Sequence, residues 1–251
     1  MSDEDKTRSA ILLAAGVGNR LGDSHDGPKV LLEFNGRSLL ARHMDALATS
    51  GIERLSITVG YMADAVRAEA ERSSAGLQLN FVDNPRFREG SLVSLWVQRG
   101  LLQARQPVLL MDGDVLYDKR MITRLTGSAY ENILLVDRNI EPGDEPVKIC
   151  FRGETIVDFR KKPEFEHDWH GESVGFFRFS PAMAIRLFER CDHYVQAGRG
   201  DLEYEEAIRD LLLAEPARFG AADVTDLPWT EIDFEEDVAR ARAEILPQLE
   251  A

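Results

Sequence analysis

The sequence contains very little cysteine, which bears on the kind of fold that it can adopt and on the cellular compartment expected for it. Cys150 and Cys191 are the only cysteines among 251 residues, and they form no CxxC pattern. Two isolated thiols in a chain of this length do not make a disulfide framework. A chain this long can bury a full hydrophobic core without cross-links. We therefore expect a protein of the reducing cytoplasm, stabilised by its core.

Long hydrophobic runs are also missing. No run approaches the roughly 18 consecutive apolar residues that a membrane-spanning helix requires. The first residues, Met1–Lys6, lack the charged-then-apolar pattern of a secretory signal. These two absences predict a soluble cytoplasmic protein without a membrane partner.

An excess of positive charge is absent as well. The 30 lysines and arginines are outnumbered by 44 aspartates and glutamates, which gives a formal net charge of −14. Phosphate backbones repel so acidic a protein, and we therefore exclude nucleic acid as a partner. A small anionic substrate remains compatible with this charge, because a cationic pocket or a bound Mg²⁺ reverses the potential at one site.

Internal repeats, low-complexity segments and long linkers are not found either, so one large domain is expected. Strand-like and helix-like segments alternate in the first half of the chain, a pattern typical of an α/β fold with a mainly parallel sheet covered on both faces. The predicted strands are 10–15, 55–59, 77–82 and 107–111, and the predicted helices begin after Ser38, at Tyr61 and at Ser91.

A glycine-rich loop follows the first predicted strand. It contains Gly16, Gly18 and Gly22, and it is followed by two cations, Arg20 and Lys29. Glycines let the backbone approach a ligand closely, and cations nearby suit a polyphosphate. Ligands of parallel sheets bind beyond the carboxyl ends of the strands. The segment Asp112–Asp114 ends the fourth predicted strand, so we expect it at the same edge as this loop.

Two familiar phosphate-binding motifs do not fit this loop. The dinucleotide fingerprint requires a third glycine where Leu21 stands, and no acidic residue ends the second predicted strand. The P-loop requires a serine or threonine after its lysine, but Val30 follows Lys29. Hydride transfer and Walker-type chemistry are therefore disfavoured.

The pattern changes after about residue 138. Two strands, 146–151 and 155–159, are predicted to pair around a turn at 152–154. The segment 160–171 is polar and aromatic, and 173–179 is again a predicted strand. Helices are predicted from Ser180-Pro181 to about Cys191, at 204–213 and at 235–249.

Five segments together resemble the sugar-phosphate nucleotidylyltransferases and their relatives, the cytidylyltransferases. The long signature is Leu13–Gly22 with Pro28–Leu32, and the other matching segments are Asn84–Trp96, Asp112–Asp114, Phe159–Pro163 and Trp229–Asp237. The segments at 84–96 and 229–237 favour the phosphocholine, inositol-phosphate and aminoethylphosphonate cytidylyltransferase branch. Three features depart from the family. Lys161 replaces the glutamate of a Glu-Lys-Pro segment, a family asparagine or threonine near Gly90-Ser91 is replaced, and residues 22–27 replace a Pro-Leu-Thr insertion.

The resemblance implies a Rossmann-like fold in one nucleotidyltransferase domain over residues 1–251. Its mixed, mainly parallel sheet would be flanked by helices, with a small β-containing acceptor-binding insertion at about 139–173. The implied reaction is attack of a phosphate or phosphonate oxygen on the α-phosphorus of CTP, with release of pyrophosphate. No protein nucleophile is needed, because catalysis rests on positioning and charge neutralisation.

The resemblance also implies roles for individual residues. Asp114 and Asp233 would bind Mg²⁺, and Arg20 and Lys29 would be the catalytic cations that grip the triphosphate. The implied nucleotide-binding residues are Leu13, Ala15, Gly16, Gly18, Arg20, Lys29, Asn84 and Ser91. Lys162, Lys148 and Glu172 are candidates for the acceptor side, and Asp112 is interpreted as a residue that caps or orients.

Other interpretations stay open at this point. A sugar-1-phosphate nucleotidylyltransferase that uses UTP, GTP or dTTP is the main alternative, and a non-catalytic nucleotide-sensing subunit is a second. Candidate acceptors are phosphocholine, inositol 1-phosphate and 2-aminoethylphosphonate. The sequence leaves the oligomeric state open, a homodimer included.

Several aromatic and histidine side chains allow both a functional and a structural interpretation. Four aromatic residues could together cage a quaternary ammonium, although packing is the more frequent role of such residues: Trp96, Tyr117, Trp169 and Trp229. His43 lies on an apolar helical stripe and is interpreted as a core residue. His167 and His170 are not expected to form a metal site, because no further ligands accompany them.

Overall fold

The computed structural model describes residues 6–18, 21, 27–140 and 145–249. The strands are β1 Ser9–Ala14, β2 Glu33–Phe34, β3 Arg37–Ser38, β4 Arg54–Val59, β5 Gln78–Asp83, β6 Val108–Asp112, β7 Val115–Tyr117, β8 Asn132–Asp137, β9 Lys148–Arg152, β10 Thr155–Arg160, β11 Trp169–Phe179, β12 Phe219–Asp223 and β13 Trp229–Glu231.

The helices alternate with these strands. They are α1 Leu39–Thr49, α2 Ala63–Arg72, α3 Ser91–Trp96, α4 Arg99–Leu102, α5 Arg120–Gly127, α6 Pro181–Gln196, α7 Tyr204–Ala214, α8 Glu235–Arg240 and α9 Leu246–Leu249. A single π-helical segment, Ala241–Ile245, joins α8 to α9. Short 3₁₀ turns lie at Lys29–Leu31 and Pro216–Arg218.

The central sheet has nine strands, and its core is parallel. Strands β5, β4, β1 and β6 lie side by side in that order, and each neighbouring pair runs parallel. The long strand β11 adds antiparallel to β6 and carries β8 on its other side, with β12 beyond β8. The prediction of a mostly parallel sheet flanked by helices is confirmed.

Both faces of the sheet are covered by helices, as continuous apolar strands require. Along β1, Ala10 and Leu12 pack into one hydrophobic cluster with α1, α2 and α5. Ile11, between them, packs into the opposite cluster with α3, α6 and α7. Successive strand residues point to opposite faces, so one six-residue strand anchors both layers.

The hairpin β9–β10 extends the sheet beside the first half of β11. Thr155 pairs with Arg152 across its turn, as the sequence indicated. Residues 169–171 of the polar segment 160–171 form the start of β11 and, together with Glu172, pair with β9. This longer strand places Glu172 between Lys148 of β9 and Asp137 of β8.

Two further differences from the predicted elements concern helices and short strands. The helix predicted to begin at Ser91 is two short helices, α3 and α4, separated at Val97 and Gln98. Strands β7 and β13 form a separate antiparallel ribbon that had not been predicted. Ala241 and Leu246 of the C-terminal helical segment pack in one cluster with Leu116 of β7 and with Ile232, which follows β13.

No helix within the described residues is both long enough and apolar enough to cross a membrane.

Candidate nucleotidyl-transfer site

The glycine loop leaves β1 at its carboxyl end and turns back over Lys29. Gly18 has a φ of +71°, a conformation that favours glycine. A Cβ there would stand 3.1 Å from Lys29 Cγ, so a side chain would also press on the lysine. The loop therefore needs glycine both for its backbone and for its contact with Lys29. Arg20 and Gly22 lie outside the described residues.

A cavity of about 510 Å³ opens beside this loop. It is lined by the end of β1, by the loop and Lys29, by Gly113 and Asp114 after β6, and by Asp233 after β13. A second wall comes from the segment before α3 and from the start of α7, through Phe87, Arg88, Glu89 and Glu203. The loop and the β6 end therefore share a site, as their positions at the strand ends predicted.

Three carboxylates meet beside this cavity, and two of them, Asp114 and Asp233, line it. An oxygen from each of Asp114, Glu231 and Asp233 lies within 4.8 Å of the others. Lys29 Nζ donates to Asp114 Oδ2 at 3.1 Å and also to Asp233 Oδ1. The ammonium thus supplies positive charge to an acidic cluster whose oxygens are the ligands that Mg²⁺ prefers. The donor set fits a divalent metal.

The ribbon of β7 and β13 brings these residues together. Glu231 pairs with Val115 across it, and the Ile232 amide donates to the Asp114 carbonyl at 2.9 Å. Asp237 Oδ2 accepts from the amides of Asp233 and Phe234 at 2.9 and 2.8 Å, which fixes the turn that follows β13. The two predicted metal ligands therefore lie together because backbone pairing joins distant parts of the chain.

Electrostatics at this cluster follow from its burial and charge. Burial alone would lower the pKa of Lys29, but the carboxylates of Asp114 and Asp233 raise it above its ordinary value. Glu231 is an exposed residue at the end of β13, yet the protein around its carboxylate and the charges of Asp114 and Asp233 raise its pKa. Lys29 therefore remains an ammonium at neutral pH.

Glu231 was missed in the sequence. A signal for it existed, since it stands two residues before Asp233 in a segment already assigned to the metal site. Residues two apart on an extended chain share one side of it. An acidic residue at that spacing was therefore a candidate for the same cluster.

Asp112 is not part of the carboxylate cluster, as its interpretation as an orienting residue allowed. Its Oδ2 accepts from the Tyr204 hydroxyl at 2.6 Å. Gly175, with a φ of +76°, makes room for this carboxylate, because a Cβ there would overlap it. Burial and the charge of Asp114 raise the pKa of Asp112. Asp112 therefore connects the end of β6 to the start of α7.

The other predicted nucleotide-binding residues divide into two groups. Leu13, Gly16, Gly18 and Lys29 line the cavity. Three others do not line it: Ala15 accepts from the Tyr61 amide through its carbonyl, Asn84 is buried with its Nδ2 donating to Ser94 Oγ at 3.0 Å, and Ser91 contacts Glu203. The Asn84 side chain therefore orders the turn before α3 in this conformation and does not reach the cavity.

A second cavity, of about 610 Å³, adjoins the cluster on the side of β11 and shares Asp233 with the first. Its walls are strongly acidic. They include Asp137, Glu145, Glu172, Glu231, Asp233, Glu236, Asp237 and Glu244, with Trp229 and Arg240. Trp229 Nε1 donates to Asp137 Oδ2 at 2.7 Å. Of the three acceptor candidates, Glu172 lines this cavity.

The two lysine candidates for the acceptor side lie close by. Lys148 Nζ donates to the carbonyls of Pro146 and Lys161, at 3.3 and 3.0 Å. Lys162 lines a further cavity of about 850 Å³ between the segment 160–164 and the start of α7. Burial and the neighbouring Asp137 raise the pKa of Glu172 to about 7, against the opposing charge of Lys148.

Three of the four aromatic candidates for an ammonium cage have structural roles, so these four residues do not form one cage. Tyr117 packs edge-on against Phe176, and Trp96 donates to Asp192 at 2.9 Å. Trp169 stacks on Phe151 with the ring centroids 3.9 Å apart. Trp229 alone of the four lines a cavity next to the carboxylate cluster.

The histidines comprise one core residue, as predicted for His43, and a pair whose imidazoles contact each other. His43 is fully buried, its Nε2 lies 3.2 Å from the Gly113 carbonyl, and burial lowers its pKa to about 4. His167 Nε2 lies 3.0 Å from His170 Nδ1, so the two imidazoles do meet. Among the described residues, the groups of three or more potential metal ligands do not include this pair.

Comparison with known proteins identifies related chains. The family model described as the MobA-like NTP transferase domain matches residues 10–164. The CMP-5′-(3-aminopropyl)phosphonate synthase of Streptomyces rubellomurinus is 29% identical over 251 residues, which is 96% of this chain and 39% of that protein. The chain therefore spans about two fifths of that relative.

Two other related proteins are matched by this chain over nearly their full length. The CTP:phosphoglutamine cytidylyltransferase of Campylobacter jejuni is 21% identical over 92% of this chain and 97% of its own. The inositol-1-phosphate CTP transferase structure from T. maritima superposes with a TM-score of 0.79, at 20% identity and 98% coverage of both chains. The structural likeness shows the shared fold. The family model matches more than half of this chain, and the site lies at the edge of the central sheet. The chain therefore belongs to the MobA-like NTP transferase family and is a nucleotidyltransferase.

Proposed function

We propose that the protein transfers CMP from CTP to a small phosphorylated alcohol or phosphonate and releases pyrophosphate, with Mg²⁺ as the metal. The observation that carries the proposal is the meeting of Lys29 with the carboxylates of Asp114, Glu231 and Asp233 beside the glycine loop. A cation next to a divalent-metal donor set is suited to a triphosphate. The names of the relatives favour cytidine as the nucleoside.

The reaction joins two anions, so the site must supply positive charge. An oxygen of the acceptor's phosphate or phosphonate attacks the α-phosphorus, and the bond from that phosphorus to the β-phosphate oxygen breaks. Pyrophosphate leaves with the bonding electrons. In this proposal Lys29, with Arg20, holds the triphosphate and stabilises the charge that develops in the transition state. The backbone of Gly16 and Gly18 approaches the phosphates without steric hindrance.

Asp114 and Asp233 are the proposed Mg²⁺ ligands, and Glu231 is a third candidate. The metal would supply charge neutralisation at the phosphates and help to orient them. Lys29 contacts both aspartates in the free protein, so binding of metal and nucleotide requires the ammonium to release these carboxylates. The triphosphate then becomes its partner.

The acidic cavity next to the cluster favours an acceptor that carries an ammonium group. Its walls place several carboxylates and the indole of Trp229 around one space. Carboxylates attract an ammonium group, and an indole face attracts it further. Among the candidate acceptors, 2-aminoethylphosphonate and phosphocholine carry such a group and inositol 1-phosphate does not. Lys162 and Lys148 are the proposed partners of the acceptor's phosphate or phosphonate, with Glu172 on the amine side.

Pyrophosphate release measured for a matrix of substrates tests this proposal. CTP, UTP, GTP and dTTP are each combined, in the presence of Mg²⁺, with 2-aminoethylphosphonate, phosphocholine, inositol 1-phosphate and glucose 1-phosphate. We expect the highest kcat/KM for CTP with an acceptor that carries an ammonium group. Release confined to UTP, GTP or dTTP with glucose 1-phosphate would establish the sugar-1-phosphate alternative. Nucleotide binding without release for any pair would favour a nucleotide-sensing subunit.

A further inference from the structure

Glu203 brings a carboxylate into the nucleotide cavity at a place that the reaction does not require. It immediately precedes α7 and lines the same cavity as the glycine loop and Lys29. Its side chain is exposed to that space. It does not belong to the cluster of Asp114, Glu231 and Asp233. A role in binding the metal is therefore not indicated for it.

Ser91 fixes the orientation of this carboxylate. Glu203 Oε2 accepts from the Ser91 amide at 3.2 Å and also from the Ser91 hydroxyl. The two segments are joined by backbone bonds as well, since the Leu92 amide donates to the Leu202 carbonyl at 3.1 Å. Both bonds from Ser91 reach Oε2, and Oε1 has no hydrogen-bond partner within the described part of the chain. One oxygen is therefore held, and the other can accept from a ligand.

Electrostatics indicate which part of a nucleotide this oxygen meets. A carboxylate repels phosphates, and in the proposed complex the phosphates are held by Lys29 and by the metal at Asp114 and Asp233. The part of the ligand that suits Glu203 must instead donate a hydrogen bond. Cytosine offers the exocyclic N4 amino group, and a glutamate accepting from cytosine N4 is an established pairing. Uracil has a carbonyl oxygen at that position, which a carboxylate repels.

We propose that Glu203 is a specificity-determining residue that selects cytosine over uracil by accepting a hydrogen bond from N4. This inference rests on the proposed function, because it takes CTP as the substrate. Ser91 acts through Glu203: its two donors hold Oε2, so that Oε1 faces the base. The sequence had assigned Ser91 directly to the nucleotide, and here it is a positioning residue.

The test compares CTP and UTP binding to the wild-type protein and to Glu203→Gln by calorimetry, with Mg²⁺ and without acceptor. In the variant, Ser91 still donates to the side-chain oxygen, so the new NH₂ group points to the base. That group opposes the cytosine amino group and suits the uracil carbonyl. We expect CTP binding to weaken about tenfold or more, and the ratio of UTP to CTP dissociation constants to fall by at least that factor.

Glu206→Gln is the matched control. Glu206 lies in α7, three residues after Glu203. Its carboxylate pairs with Arg160 at 3.0 Å, and it does not line the nucleotide cavity. The UTP-to-CTP ratio of this variant should equal that of the wild type. An unchanged ratio in Glu203→Gln would overturn the inference. An equal loss of CTP and UTP affinity would also overturn it, because it would assign Glu203 to the ribose.

The wild-type measurement separates this inference from the proposed function. If the wild-type protein binds neither nucleotide, or binds UTP more tightly than CTP, the choice of CTP as substrate is wrong and the inference fails with it. If the wild type prefers CTP and only the variant result is contrary, the proposed function stands and Glu203 has no part in base selection.

Discussion

Lys29 Nζ lies 3.1 Å from Asp114 Oδ2, although the two residues are 85 positions apart in the sequence. The same ammonium contacts Asp233, 204 positions away. One lysine therefore contacts both predicted metal ligands in the free protein. In the proposed reaction, a metal ion and Lys29 compete for the same carboxylates. Replacing Lys29 should therefore have opposite effects on metal binding and on turnover.

Lys29→Met should lower turnover and strengthen metal binding. The triphosphate loses a cation, and the loss of one transition-state charge contact typically costs about 10²- to 10³-fold in kcat. At the same time, the carboxylates of Asp114 and Asp233 lose their internal partner and become free for a divalent ion. A calorimetric titration with Mn²⁺ in the absence of nucleotide should give a lower dissociation constant for the variant than for the wild type. Weaker Mn²⁺ binding in this variant would contradict the competition.

Asp114→Asn and Asp233→Asn should each reduce kcat/KM by at least about 10²-fold while the protein stays folded. Both side chains are partly exposed at the cavity, so their replacement by isosteric amides leaves the core intact. The double variant should be little worse than either single one, because residues that act as a unit have non-additive effects. Pyrophosphate release and the thermal unfolding midpoint measure the two properties. Near-wild-type turnover in either single variant would show that the residue replaced in it is not a ligand of the proposed metal.

Glu172 should make the protein less stable as the pH rises through neutrality. Burial and Asp137 raise its pKa to about 7 in the folded protein, from about 4.5 in the unfolded chain. The folded state therefore holds the proton more tightly, and this stabilisation is complete below pH 4.5 and is lost as the pH rises to 7. The loss should be of the order of 1 to 3 kcal/mol.

Urea unfolding of Glu172→Gln between pH 5 and pH 8 measures this contribution. The variant cannot ionise at that position, so its free energy of unfolding should fall less steeply with pH than that of the wild type. Above pH 7 it should be the more stable of the two proteins. Parallel pH profiles for the two proteins would show that Glu172 keeps an ordinary pKa.

A buried ion pair holds the segment that carries Lys161 and Lys162. Arg209 Nε donates to Asp158 Oδ1 at 2.6 Å, and the Asp158 carboxylate is completely buried. The other oxygen, Oδ2, accepts from the Glu164 amide at 2.7 Å. Arg209→Met should lower the free energy of unfolding by about 3 to 5 kcal/mol, because it leaves a buried charge without its partner.

A double variant distinguishes the contribution of the buried charges to stability from the contribution of packing. Asp158→Asn combined with Arg209→Met removes both charges, so it should recover part of the stability lost in Arg209→Met alone. Acceptor KM should rise more than nucleotide KM in the single variant, since the disturbed segment carries the acceptor candidate Lys162. Chemical unfolding and steady-state kinetics give the two readouts. Equal stability of the single and double variants would assign the effect to packing alone.

Local patterns predicted the parallel half of the fold well. Strand β1 is a continuous apolar run, and Ser38 caps α1 by accepting from the Ala41 amide at 3.0 Å. Such elements follow from residues close in the sequence, so their positions were predictable. The ribbon of β7 and β13 was not, because three-residue strands have no periodicity to recognise and are stabilised by pairing.

The candidate site shows the same division between local and distant information. Asp114 and Asp233 were identified by motif, and Lys29 by its place after the glycine loop. The Lys29 contacts with both aspartates, and the contact between Glu203 and Ser91, join residues 85 to 204 positions apart. No pattern in the sequence specifies such contacts, since they depend on strand pairing and helix packing.

The ribbon of β7 and β13 should also determine when the site is assembled during synthesis. Asp114 leaves the ribosome early, but Glu231 and Asp233 reach it only after β13 is made and has paired with β7. A nascent chain that ends before residue 229 holds the glycine loop and one carboxylate of the cluster. It therefore lacks the assembled donor set, and nucleotidyl transfer should begin only after the last strand has joined its partner.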